Sequence, residues 1–147
     1  MTHQFLRPAL AGAALIAALS LSAPTLAATV NLKAEMSGAS EVPPNDSAGK
    51  GAVTATYDTD SKTLSWKGTF SGLSGPAVAA HFHVGEPGKN GGVAVPIFTS
   101  ADKATSPFEG KATLTDAQAA DLLAGKMYVN IHTAAHKAGE LRGQVTK

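Results

Sequence analysis

The chain has no cysteine among its 147 residues. Disulfides, thiolate nucleophiles, iron–sulfur clusters and cysteine-ligated zinc are therefore excluded. An excess of either charge is also missing. Twelve basic and 11 acidic residues give a formal charge of +1, which creates no basic field and argues against nucleic acid as a partner. No apolar run reaches the roughly 20 residues needed to cross a bilayer. No serine stands in a nucleophile-elbow context, which argues against a serine-triad hydrolase. Gly85–Gly92, GEPGKNGG, lacks the Lys-Ser/Thr ending of a phosphate loop and leads into a strand, so it reads as tight turns.

What is present falls into two parts. Met1–Ala27 has a short N-region with Arg7, an apolar run from Ala9 to Leu21, and a small-residue region. Thr25 and Ala27 occupy the −3 and −1 positions of a cut before Ala28. This pattern predicts a signal peptide over residues 1–27 and a periplasmic or secreted domain over residues 28–147, with no membrane span after cleavage. Arg7 leaves with the leader, so 11 basic residues then balance 11 acidic ones. An exported domain without disulfides must be held by its core, by a metal, or by both.

In residues 28–147 the hydrophobic period is mostly two, which predicts strands. Thr29–Met36, Ala52–Asp58, Lys62–Phe70, Ala77–Val84, Gly92–Phe98, Phe108–Leu114, Met127–Thr133 and Glu140–Thr146 all fit. The second and third read as a hairpin across the turn Asp58–Ser61. Ser37–Gly51 reads as a loop that Pro43 and Pro44 keep out of a ladder. One helix interrupts the strands. Thr115 and Gln118 form a capping box ahead of Ala119, Ala120, Leu122 and Leu123, and Gly125 ends it. The predicted fold class is all-β, an antiparallel β-sandwich of about eight strands with one short helix.

The four histidines of the mature chain lie in two short stretches. His81 and His83 project from one face of a strand, with Ala80, Phe82 and Val84 toward the core. Met127, Val129 and Ile131 form the apolar side of a later strand, leaving Tyr128, Asn130 and His132 opposite. His136 follows in a turn. Imidazole suits copper, zinc, nickel and iron, and the missing thiols favour an all-nitrogen site. The candidate metal ligands are His81, His83, His132 and His136, with copper as the favoured ion. A pair of surface or hydrogen-bonded histidines is the competing account. A shared ion requires ring nitrogens that converge within about 3 to 4 Å of one point.

Glu140 and Arg142 read either as a polar ladder or, for Arg142, as an anion guide beside the histidines. Glu41 reads as a loop anchor or a ligand. Trp66 and Tyr57 read as core or sheet-face residues.

GASEVPP (Gly38–Pro44), AAHFHVGEPGKNGGVAVPIF (Ala79–Phe98), LTDAQAADLLAGKMYVNIHT (Leu114–Thr133) and AGELRGQV (Ala138–Val145) together resemble the chordin-type CHRD domain family. That resemblance covers roughly residues 30 to 146 and implies an exported β-sandwich without a settled activity. FHVG, NIHT and AGELRGQV are also similar in layout to the copper–zinc superoxide dismutases, which implies an immunoglobulin-like, dismutase-like sandwich. That layout would make His81 and His83 the copper pair, His132 the later histidine and Arg142 the superoxide guide. The bridging histidine after Gly92, the zinc-ligand loop and the disulfide of that family are missing, which excludes a zinc-bearing dismutase. Three functions follow as expectations: metal handling or redox chemistry, a non-catalytic module for another protein or a surface glycan, and a copper-only dismutase-like enzyme with Arg142 as its catalytic guide.

Overall fold

A computed structural model describes residues 28–147; the signal peptide expected over residues 1–27 lies outside them. Strands β1 (Thr29–Ser37), β2 (Lys50–Asp58), β3 (Thr63–Ser71), β4 (Ala77–Val84), β5 (Val93–Phe98), β6 (Phe108–Thr113), β7 (Met127–Thr133) and β8 (Leu141–Gln144) follow the period-two segments closely. One helix, α1 (Asp116–Leu123), stands between β6 and β7. Its capping box is formed: Thr115 Oγ1 accepts from the Gln118 N–H, and the Gln118 side chain accepts from the Thr115 N–H. No described helix is long and apolar enough to cross a membrane.

All eight strands belong to one antiparallel sheet in the order β5-β4-β7-β8-β1-β2-β3-β6. The sheet curls until its two end strands approach, with the rings of Phe98 on β5 and Phe108 on β6 at 6.0 Å. The all-β antiparallel class, with eight strands and one short helix, is the expected one. Inside the curl the alternating apolar residues meet. Leu64, Phe82, Val129, Ile131 and Leu141 are fully buried, and Trp66 packs edge-on against Phe82 at 5.2 Å. Burying such side chains contributes roughly 1.5–3 kcal/mol each, which is the stabilisation available to a domain without disulfides. Helix α1 lies beside the β5 end of the sheet, where the Gln118 amide donates to the Ala94 carbonyl.

The sequence pattern differs from the structure on β7. Tyr128 and Asn130 fall opposite the apolar side of the strand, yet Tyr128 is 3% and Asn130 2% exposed. Two loops fold over that outer face. The loop after β1 brings Glu41 to the Asn130 amide, and the loop between β4 and β5 brings Gly91 to the Tyr128 hydroxyl. A second, polar layer therefore sits outside the sheet, and it carries the candidate site.

Candidate metal centre

The register of β4 against β7 decides which side chains meet. Ala79 lies opposite His132, His81 opposite Asn130, and His83 opposite Tyr128. Opposite residues share a face, so the three histidines project from the same side, and His132 is the diagonal neighbour of His81. Irregularities in the β4–β5 pairing fall at Ala80/His81 and Phe82/His83. Such bulges bend a strand and re-aim its side chains.

The result is a cluster. His81, His83 and His132 each offer one ring nitrogen, and these nitrogens lie within 4.8 Å of one another. His81 Nδ1 and His132 Nε2 are 3.3 Å apart. Two bonds of about 2.0–2.1 Å from imidazole nitrogen to a common ion span at most about 4.2 Å, so the His81–His132 pair fits as it stands and the widest pair must draw in by about half an ångström.

The remaining ring nitrogens fix the tautomers. His132 Nδ1 lies 2.9 Å from the Lys137 carbonyl, and His83 Nδ1 lies 3.1 Å from the Gly91 carbonyl. A carbonyl only accepts, so both Nδ1 atoms carry hydrogen and both Nε2 atoms keep a lone pair. His83 Nε2 is buried without any partner. A bare, buried acceptor is costly unless something fills its place. His81 Nδ1 donates to His132 Nε2; moving its hydrogen to Nε2 frees a third lone pair.

Charge favours the ligating form. Burial, then His132 and His83, depress the His81 pKa below its usual 6.5. Burial, with help from His132 and Arg142, lowers that of His83 against the pull of the Gly91 carbonyl. His132 is lowered by burial against the Lys137 carbonyl. All three rings are thus held neutral near pH 7. No carboxylate joins the group, so the donor set suits imidazole-seeking transition metals rather than calcium or magnesium.

The other expected site residues are placed differently. His136 is half-buried in the turn after β7 and outside the cluster; its backbone bonds Thr133 and Gly139. Arg142 is 2% exposed. Its guanidinium donates to Asn90 Oδ1 at 3.0 Å and the Lys89 carbonyl at 2.6 Å, so an anion in solvent does not reach it. The β4–β5 loop covers it, so of its two sequence readings the polar contact is the one its bonds form. Glu41 is a loop anchor, accepting from the Asn130 amide at 2.5 Å. Glu140 is fully buried and ties together Ser47, Ser74 and Thr133. Trp66 and Tyr57 are core residues, 5% and 2% exposed.

Sequence reasoning passed over Tyr128. Its ring stacks on His83 at 4.8 Å and 6°. Its place two residues before Asn130 and four before His132 was the available signal, since all three share a strand face.

The model of the CHRD domain family matches residues 32–145 of the chain. No curated protein and no solved structure matches it. The match takes in all eight strands in part or in full, the three clustered histidines, and both loops that cover the outer face, so the chain is a member of the CHRD domain family.

Proposed function

We propose that this CHRD-domain protein is exported and binds one copper ion through His81, His83 and His132, acting in copper handling in the periplasm or outside the cell. The observation that carries the reading is the convergence of three neutral imidazoles, two of them anchored by carbonyls through the nitrogen that faces away. Backbone anchors of this kind hold ligand rings in orientation before the ion arrives. Copper fits the all-nitrogen set and the export signal in the sequence; thiols, which other metal sites use, are absent. Handling fits better than dismutation, because Arg142 is committed to Lys89 and Asn90.

Titrating Cu(II) into chelator-stripped protein tests this. One equivalent should bind more tightly than about micromolar, and His81→Ala/His83→Ala should abolish it. Protons compete for neutral imidazole, so affinity should hold near pH 7 and fall below about 6.5, where the depressed pKa values lie. Absence of any binding tighter than about micromolar would overturn the reading.

A further inference from the structure

We infer that Tyr128 and Arg142 are positioning residues of the metal centre: together they lock the His83 ring so that its bare Nε2 stays aimed into the cluster. This inference rests on the metal-binding reading above.

Two motions must be stopped to hold a histidine ligand, and the outer layer stops both. Rotation of an imidazole about its last side-chain torsion is soft, with a broad, roughly two-fold preference. Tyr128 lies almost parallel to His83, at 6° and 4.8 Å, and so blocks that rotation. The remaining freedom is a slide in the ring plane, which the bond from His83 Nδ1 to the Gly91 carbonyl prevents. Tyr128 controls this bond as well. Its hydroxyl accepts from the Gly91 N–H at 3.2 Å and lies 3.5 Å from the Gly91 carbonyl oxygen.

Arg142 completes the device from the other flank. In the sheet β7 stands between β4 and β8; Tyr128 lies opposite His83 on one side, and on the other Arg142, opposite Asn130, is its diagonal neighbour. The guanidinium carbon sits 3.6 Å from the Tyr128 ring centre, a cation–π contact made stronger by burial. The same guanidinium holds Lys89 and Asn90, the two residues before Gly91. One planar fork therefore presses the tyrosine ring and pins the segment that supplies the carbonyl.

The glycine-rich loop is shaped for this. A Cβ at Gly91 would lie 1.5 Å from the Val84 carbonyl oxygen, and one at Gly85 would lie 2.8 Å from the Tyr128 ring. Only glycine lets the loop come down onto Tyr128. GEPGKNGG thus holds a ligand ring in place rather than merely turning the chain.

The test uses the full mature protein, with copper competition against a chelator and electron paramagnetic resonance of the Cu(II) form. Tyr128→Leu should weaken Cu(II) binding by about 10- to 100-fold, the usual cost of losing an outer partner of a metal ligand. Its spectrum should lose the coupling of one of three nitrogens. Arg142→Lys keeps the charge but not the flat fork, and should weaken binding in the same direction by less. Tyr128→Phe keeps the ring and deletes only the Gly91 bonds; it should shift the spectrum with the fold intact, and it decides the question if Tyr128→Leu does not fold. Leu64→Ala, a core change on β3, supplies an equal or greater loss of stability and should leave affinity and spectrum unaltered. Wild-type affinity and spectrum in both Tyr128 variants would overturn the inference alone, as would a Leu64→Ala protein that reproduces their loss. Wild-type protein that binds no copper would overturn the metal reading and this inference together.

Discussion

Replacing Glu140 by glutamine probes the buried polar layer through its most heavily bonded member. The Glu140 carboxylate is fully buried. Oε1 accepts from Ser47 Oγ and the Ser74 N–H, and Oε2 from Thr133 Oγ1 and Ser74 Oγ, all at 2.7 Å. Burial alone would raise its pKa. The donors of Thr133, Ser47 and Ser74 overcome burial and hold the value at about 2, against an ordinary 4.5. A carboxylate more acidic in the folded than the unfolded state stabilises fully above the unfolded value, and that contribution is lost as pH falls toward the folded one. At 1.36 kcal/mol per pKa unit, a depression of this size is worth about 3 kcal/mol. Glu140→Gln keeps the shape and removes the charge. Its amide oxygen can remain on the rigid Ser74 N–H, while its NH2 meets hydroxyls that rotate to accept. The bonds persist as neutral ones. Charged bonds are worth roughly 1.5–3 kcal/mol and neutral ones about 1, so four weakened bonds set a floor of about 2 kcal/mol, and with about 3 kcal/mol from the pKa depression a loss of about 2–4 kcal/mol at pH 7 is expected. Urea unfolding from pH 7 down to about 2.5 measures it: the gap between wild type and variant should shrink steadily below about pH 4.5. A variant within about 0.5 kcal/mol of wild type at pH 7, or a gap that stays constant on acidification, would refute the reasoning.

Other outcomes follow from the same layer. Burial lifts the Glu41 carboxyl to about 7, opposed by Arg142, the Val42 N–H and the Asn130 amide. Its contribution is therefore fully present below 4.5 and lost as pH rises through about 7. Glu41→Gln should gain on wild type across that window in urea unfolding, and a pH-independent difference would contradict the assignment. Gly91→Ala would place its Cβ 1.5 Å from the Val84 oxygen, whereas a Cβ at Gly92 meets nothing within 4 Å. Thermal melts should show a loss on the order of 3 kcal/mol for the former and within about 0.5 kcal/mol for the latter; equal losses would disprove the close approach.

Much of the fold was legible because the determinants are local. Ala77–Val84 and Met127–Thr133 coincide with β4 and β7 to the residue, since alternation of apolar side chains marks a half-buried strand directly. The Thr115–Gln118 box marked α1 for the same reason. The pairing of His81, His83 and His132 was legible in part: two share a strand and the third shares the face of its neighbour. The outer layer was not. Tyr128, Asn130, Glu140 and Arg142 look like a solvated face in sequence, and become buried only because distant loops close over them, as the Asn45–Glu140, Arg142–Lys89 and Asn130–Glu41 bonds show, 95, 53 and 89 positions apart. Periodicity within a strand holds no record of a distant loop. Both readings of Arg142 stayed open in sequence for this reason: arginine at the end of a sheet looks available until its cover is known.

The two end strands carry a further consequence. An exposed sheet edge offers unpaired amides that another chain can join, which is how many β proteins aggregate. On β5, Pro96 has no N–H to offer, and the Ala94 carbonyl is occupied by the Gln118 amide from α1. On β6, Glu109 and Lys111 bring charge to the other rim. A sheet that curls without a full ladder at its seam has thus blunted both borders against edge-to-edge polymerisation, a protection that a chain with no disulfide to keep it closed has particular need of.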